Sequence, residues 1–285
     1  MAGSQQSDSE AIGEALSWLT GLWPSLEVTY GTPDADMFSA VDLGDPGSNA
    51  VAQLLAYHRQ LLPRPDARTL AASVLGQYSY FLGLAAAAPY LLSGTVPDLS
   101  AGNLFFRLVA AEEGADAPFR RFHLRLLSAV PSMKNAGHFA DPPARRALLQ
   151  QILEDHLRPL VMALRQISSF GRDAQWRIAG DSVAAAFLEI GRRLGETERA
   201  TAEALAILRQ PGSAFRNKQL DFVTLRVATP DAGVIEETFR LRGGCCRLYK
   251  LDGGSLCPTC VLAEPQWREE QLRRLLLERS GFTAS

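Results

Sequence analysis

The sequence predicts an α+β protein, predominantly helical, with short antiparallel strands and hairpins, closing on a cysteine-bearing hairpin and a final helix. Three observations lead there. Apolar residues recur at three- and four-residue intervals over most of the chain, two regions switch to alternation, and all four cysteines fall between Cys245 and Cys260. The first two periods are those of a half-buried helix and a half-buried strand. The third is a matter of chemistry, because thiols scattered for packing would not gather in so short a window.

Residues 1–8 are polar and are expected to form a disordered tail. Over residues 10–23 the apolar positions Ile12, Leu16, Leu19, Leu22 and Trp23 keep helical spacing, and Pro24 ends the run. Residues 26–30 suit a short strand, 48–62 a helix, and 67–92 one long or two short apolar helices. Residues 103–111 and 118–126 alternate and are expected to pair as a hairpin across 112–117. After Pro142-Pro143 a wide apolar stripe from Leu148 to Leu164 predicts a helix, bent or broken at Pro159. A further helix is expected to start near Gly180-Asp181-Ser182, with Asp181 or Ser182 as its cap, and to run to Leu194. Residues 196–208 form another, and the loop Gln210-Pro211-Gly212-Ser213 follows. Residues 222–227 and 234–241 read as strands around a turn at 229–233. Residues 264–279 close the chain as a helix, with Pro265 in its first turn and Gly281 after its end.

At 285 residues the chain can bury one large core with a small appendage. Its formal net charge of −2 gives no general field for nucleic acid or an anionic membrane. Lysine occurs only at Lys134, Lys218 and Lys250, an arginine bias read as base composition. The opening MAGSQQSDSE has no basic region ahead of an apolar one, so no secretory signal is expected. A reducing, cytoplasmic setting follows as an expectation, and there clustered thiols favour metal ligation over disulfides. Residues 71–92 carry no charge and are long enough to span a bilayer. Ser73, Gln77, Tyr78, Ser79, Tyr80 and Pro89 interrupt them, so a buried core helix is expected in place of a transmembrane segment. Peripheral membrane association stays compatible with this reading.

The cysteine segment reads CCRLYKLDGGSLCPTC, that is Cys-Cys-x10-Cys-x2-Cys. A type I′ turn at Asp252-Gly253 would set Cys245 opposite Cys260 and Cys246 opposite Thr259. A three-residue turn through Gly254 would set Cys246 opposite Cys260 instead. Either register gathers the sulfurs at the open end of one hairpin. Adjacent side chains on a strand point to opposite faces, so the chain must bend at the vicinal pair. Gly243-Gly244 supply that freedom and would let backbone N–H groups approach sulfur. A structural zinc suits the CxxC half but not the vicinal pair. A disulfide is disfavoured by compartment, and four inert cysteines by their clustering. An iron–sulfur cluster fits four thiolates, although the spacing matches neither common ferredoxin pattern.

The tail RGGCCRLYKLDGGSLCPTCVL resembles the signature of the FhuF-type ferric siderophore reductases, with Arg242 and Tyr249 flanking the vicinal pair as in that family. The run from Trp176 to Ala184 is similar to the family's tryptophan followed by a Gly-Asn/Asp-Ser-x-Ala helix start. The helix holding His156-Leu157-Arg158-Pro159 resembles family members and, distantly, the C-terminal region of hydroxamate and citrate siderophore synthetases. The first 140 residues show no such motif. The resemblance implies one [2Fe–2S] cluster per chain on Cys245, Cys246, Cys257 and Cys260. It also implies one-electron reduction of Fe(III) in an imported, hydroxamate-type siderophore, releasing Fe(II) for iron assimilation. Residues 9–218 would then be a mainly helical siderophore-binding domain with a central hairpin, and 219–285 the C-terminal strands, [2Fe–2S] hairpin and last helix.

The chemistry is sound on general grounds. Hard oxygen donors favour Fe(III), and each tenfold loss of affinity for Fe(II) lowers the chelate's potential by about 59 mV. The cluster must be of low potential, as an all-thiolate environment favours. The chain has neither a Gly-x-Gly-x-x-Gly nor a P-loop run, so electrons are expected from a partner such as a ferredoxin or a flavin reductase. Arg242, Arg247, Tyr249, Lys250, Trp176 and Trp267 are candidates for contact with substrate or donor, each with a plainer reading as hairpin charge or packing. His58, His123, His138 and His156 form no ligand pattern and are expected on the surface or in the core. The rival reading is a non-catalytic siderophore-binding or synthetase-like module with a structural zinc on the four cysteines.

Overall fold

The computed structural model describes residues 2–109, 121–127, 141–229 and 233–282. Its centre is α3 (Ala67–Ser93), a single helix running the whole apolar stretch. Asp66 caps it, Oδ1 accepting from the Thr69 N–H at 2.6 Å, and Gly94 ends it at φ 71°. This helix is long and apolar enough to cross a membrane, yet 78% of its apolar window is buried inside the protein, which makes it the expected core helix. Its main partner is α5 (Arg172–Leu194). Gly83 sets their separation, since a Cβ there would lie 2.9 Å from Ala186 Cβ and 3.1 Å from Val183 Cα. Around this pair, α1 (Ala2–Leu22), α2 (Asn49–Leu61) and α4 (Pro142–Ser168) pack on α3, and α6 (Thr197–Leu208) on α5.

A four-stranded sheet, order β1-β4-β3-β2, covers one side: β1 (Leu26–Tyr30), β2 (Phe38–Ser39), β3 (Leu104–Val109) and β4 (Arg121–Leu126). β3 and β4 are the expected hairpin, with Leu104 opposite Leu126; its connection at 112–117 lies outside the described residues. β1 joins β4 in parallel, a pairing between distant segments that local spacing does not announce. Phe106 and Phe122 stack at 5.6 Å, and Tyr78 of α3 meets both rings edge-on. A separate two-stranded sheet, β5 (Asp221–Thr229) and β6 (Gly233–Leu241), carries α7 (Pro265–Arg279) on a small core of Phe239, Leu272 and Leu276. The tip of its turn, 230–232, lies outside the described residues.

Three expectations are corrected. The tail expected to be disordered over 1–8 is helical from Ala2, because propagation from an already packed turn fixes one residue per hydrogen bond and no proline interrupts it. α4 is one helix through Pro159, so of the two expected effects, a bend or a break, the break does not occur. The carbonyl deprived of its partner belongs to Asp155, whose side chain is exposed, so water can take that bond. α5 begins at Arg172, well before Gly180, so Asp181 and Ser182 stand inside the helix and cap nothing. At Gly180 an added Cβ would meet the Phe215 carbonyl and side chain at 3.5–3.6 Å, ordinary contacts, so packing does not demand a glycine there.

Two predictions follow from the packing. Gly83→Leu must push α3 off α5 and is expected to cost about 1–3 kcal/mol, read as a lower urea midpoint at unchanged slope. His156 is buried, its Nε2 2.7 Å from Tyr78 Oη and its Nδ1 2.5 Å from the Leu99 carbonyl. Burial lowers its pKa to about 4, against the pull of the Leu99 carbonyl. The unfolded chain takes up this proton near pH 6.5 and the folded chain does not, so stability falls as pH drops. From pH 7.5 to 5.5 this residue is expected to remove about 1 kcal/mol, and His156→Gln to flatten that part of the slope.

Candidate metal centre

β6 delivers Gly243 and Gly244 onto the side of α5. The Gly243 N–H donates to Asp181 Oδ1 at 2.8 Å and the Gly244 N–H to Oδ2 at 2.9 Å. A Cβ on Gly243 would overlap Asn217 Nδ2, and one on Gly244 would sit 2.8 Å from the Ile178 nitrogen. Gly243 is therefore needed for close approach to the segment at Asn217 and Leu220, and Gly244 for close approach to α5; their N–H groups serve a carboxylate where the sequence suggested sulfur. Asp181 is fully buried. Burial raises its carboxyl pKa, while Arg240, the two N–H donors and Arg242 work against the rise. Two donors on two oxygens hold the carboxylate form. Arg240 also donates to the Asp181 carbonyl, and Arg242 Nε stands 3.6 Å from Oδ2.

Beyond the glycines the expected cysteine hairpin does not form a ladder. Arg247 adopts φ 63°, a short 3-10 turn covers Leu248–Lys250, and Gly254 N–H closes a turn on the Leu251 carbonyl at 2.8 Å. Gly253 takes φ 74° but Asp252 does not share the positive φ that a type I′ turn needs. The cause is a tether. Arg247 Nη2 lies 2.6 Å from Asp66 Oδ2 and its Nε 3.3 Å from Thr69 Oγ1, pulling the chain to the N-terminus of α3 immediately after the vicinal pair. Burial opposes it, but Thr69 and Arg247 hold the Asp66 carboxyl down at about 2. The Arg242 N–H meets the Thr259 carbonyl at 3.2 Å, which returns the CxxC turn to the end of β6.

All four thiols are free, Cys260 buried and the others half-buried. Burial pushes the Cys260 thiol up, and the charges of Cys257, Cys245 and Cys246 add to the rise, so the four share one neighbourhood. Among the described residues no three metal-ligating side chains converge as a lone ion requires. Loss of solvent would discharge Arg242, but Cys246, Asp181 and Cys257 more than offset it. Arg240 falls to about 10 by burial, against Asp181, and stays a cation at neutral pH. Nε of each arginine is buried without a hydrogen-bond partner. Soft anionic ligands beside under-used guanidinium donors fit a negatively charged, thiolate-bound cluster.

A cavity of about 400 Å³ opens beside this loop. Ser73, Gln77 and Tyr80 of α3, His58 of α2 and Ser182 of α5 line it, with Arg240, Arg242 and Cys246 at its edge. Cys246 alone of the four cysteines reaches it. Of the residues singled out from sequence, the structure brings Arg242 to cysteine and cavity together. Arg247 is engaged with Asp66, Lys250 is exposed, and the Lys250 Nζ lies 5.9 Å from the half-buried Tyr249 ring. Trp176 is a core residue, edge-on to Phe215 at 5.1 Å, and Trp267 is half-buried on α7; neither lines the cavity. His123 bonds Thr29 Oγ1 at 2.8 Å in the core, His58 is buried at the cavity wall, and His138 lies outside the described residues. Sequence reasoning took Asp181 for a helix cap and missed Arg240 and Gln77. The signal for Gln77 was present: Ser73, Gln77 and Tyr80 are a polar stripe at i, i+4, i+7 on an otherwise apolar helix.

A helical α+β body thus carries a thiol-only donor set beside buried cations, a donor chemistry that suits an iron–sulfur centre. A family model described as ferric iron reductase FhuF-like transporter matches residues 72–220, and a second, the FhuF 2Fe-2S C-terminal domain, matches 242–262, the segment with all four cysteines. The chain belongs to this FhuF-like ferric iron reductase family, and its C-terminal segment is a [2Fe–2S] domain. No curated protein matches it.

Asp181→Asn keeps the shape but turns an amide NH2 towards one of the two glycine N–H groups. The expected loss is about 1–3 kcal/mol, seen in urea unfolding, together with a lower yield of bound iron and sulfide per chain.

Proposed function

We propose that this protein is a ferric-siderophore reductase that holds one [2Fe–2S] cluster on Cys245, Cys246, Cys257 and Cys260. Its substrate would be Fe(III) in an imported, hydroxamate-type chelate, reduced by one electron to the loosely held Fe(II). The observation that carries this reading is the position of Cys246, at once a member of the thiol set and a wall of the open cavity. When bound, the cluster supplies single-electron chemistry at low potential.

The chain's own residues set the conditions. Asp181 fixes the backbone at the vicinal pair, and the Arg247–Asp66 tether holds the loop over α3. Arg240 and Arg242 offset the negative charge that four thiolates and bridging sulfides leave, and Asp181 cancels part of that offset. A surplus of negative charge remains, and it repels a multiply anionic chelate. A ferric trihydroxamate, three monoanions on a trivalent ion, is neutral and escapes that repulsion. No acid or base at the substrate is required.

Residues 9–218 would bind the chelate, and 219–285 would carry the cluster. Electrons would come in the cytoplasm from a ferredoxin or flavin reductase, docking where Leu248, Lys250 and Leu262 are exposed around the half-buried Cys245 and Cys257. The anaerobically purified protein is expected to be red-brown, with two irons and two acid-labile sulfides per chain, and Cys246→Ser to bleach it. After dithionite reduction, a ferric trihydroxamate should reoxidise the wild type and release Fe(II) to a ferrous trap. A colourless zinc protein, or reoxidation no faster than by a cluster-free control, would overturn the assignment.

A further inference from the structure

We propose that Asp66 is a positioning residue for reduction of the chelate: it clasps the cysteine loop to the N-terminus of α3 and so keeps Cys246 in the cavity wall; this rests on the reductase reading above. The rim of the cavity brings together two segments far apart in the chain. Leu61 and Leu62 line it where α2 runs out into the link to α3, and Cys246 and Leu248 line it from the cysteine loop. Close to these residues the two segments are joined twice, each giving one arginine and one aspartate. Arg247 Nη2 lies 2.6 Å from Asp66 Oδ2, and Arg64 Nη2 lies 2.8 Å from Asp252 Oδ2. The pairs are unequal. Arg247 is 16% exposed against a half-exposed Asp66, and its Nε adds Thr69 Oγ1 at 3.3 Å. Arg64 and Asp252 both stand in solvent, where screening leaves an ion pair worth little.

Both segments hold a shape of their own. The link over 62–66 carries Pro63 and Pro65, which fix φ and remove two N–H donors. The loop is folded on itself. The Lys250 N–H donates to the Arg247 carbonyl at 2.9 Å and the Leu251 N–H to the Leu248 carbonyl at 3.1 Å. A Cβ on Gly254 would collide with the Leu248 carbonyl and lie 2.9 Å from that of Leu251. Two stiff pieces thus meet through side chains, and the shielded pair sets how they sit. The backbone agrees. Of the three non-glycine residues at positive φ among the described residues, two are Arg64 and Arg247, at 47° and 63°. Arginine seldom adopts that region by local preference, so contacts from outside the segment hold it there. Asp66 divides its oxygens between two jobs: Oδ1 caps α3 at the Thr69 N–H, and Oδ2 takes Arg247. The first needs only an oxygen, the second a charge. Arg247 directly follows Cys246, so releasing it frees the thiol that faces the cavity. The Asp181 anchor before the vicinal pair and the Arg242–Thr259 contact beyond it stay in place.

Substitution separates the two jobs. Asp66→Asn and Asp66→Ser keep a capping oxygen and lose the charge; Asp66→Glu keeps the charge and is a poor cap. Each holoprotein, checked by its visible spectrum and iron content, is reduced with dithionite. It is then reoxidised in separate runs by a ferric trihydroxamate and by hexaammineruthenium(III). Each oxidant takes one electron, its metal passing from the trivalent to the divalent state, and the small ruthenium complex has access on the side where Cys245 and Cys257 are half-buried. Asp66→Asn and Asp66→Ser are expected to react about tenfold more slowly with the chelate and no more slowly with ruthenium. Asp66→Glu is expected within about threefold of the wild type with both, and Asp252→Asn, which breaks the solvated pair, within about twofold. A cluster kept by Asp66→Glu but lost from both other Asp66 variants also follows the charge and supports the clasp; its loss from all three overturns it. Slowing that follows the cap, equal slowing with both oxidants, or no slowing overturns it too. If the chelate leaves the reduced wild type untouched, the reductase reading fails, and the clasp is read from bleaching of oxidised holoprotein by EDTA. That bleaching is expected about tenfold faster in Asp66→Asn and Asp66→Ser and unchanged in Asp66→Glu; equal rates in all of them overturn the clasp as well.

Discussion

A buried carboxylate holds the metal-binding segment to the helical body. Asp181, in the middle of α5, takes the N–H of Gly243 on one oxygen and that of Gly244 on the other, just before Cys245. Leaving such a charge buried without partners would be severely unfavourable, so the same bonds that satisfy it also fix the loop. Everything downstream inherits that position. The direction of the vicinal pair, the approach of Arg242 to Cys246 and Cys257, and the exposure of Cys246 to the cavity all start from where those glycines rest. The helix supplying the carboxylate is itself located by close packing of α5 on α3 at Gly83.

The site also shows how charge is distributed around a group that is strongly negative when present. Arg240, Arg242, Asp181 and the thiols act on one another electrostatically here. Guanidinium suits that place, since it stays charged when buried and can turn several N–H groups towards different acceptors. Arg240 divides its attention between the Asp181 carbonyl and the cavity edge, and Arg242 between Asp181 and the thiols. The local balance is set by residues from α5 and β6, not by the cysteine loop alone.

Reading the chain without coordinates recovers the helices well where apolar spacing is regular and their ends carry clear signals, as in α2 behind Ser48 and α7 behind Pro265. It errs where a residue has two uses. Gly180-Asp181-Ser182 has the composition of a helix start, but all three residues lie inside α5 and the aspartate serves another segment. Asp252-Gly253 has the composition of a hairpin turn, but a contact of Arg247 with Asp66 bends the chain first. In both cases a local preference of about a kilocalorie yields to a long-range contact of a charged group. The polar stripe of α3 was visible as an interruption of apolarity, while its meaning depended on what lies opposite.

The sequence by itself determined the chemistry: four thiols in one short window name the kind of group the chain can hold, and ligand type is a property of residues, independent of their neighbours. It also determined which stretches are helical and which alternate, because those periods are local. Only the tertiary structure decided which cysteine faces a cavity, which carboxylate anchors the loop, and that β1 lies alongside β4. Each of these joins residues tens of positions apart, and such pairings are selected by burial and charge compensation in the folded whole, which no local pattern encodes.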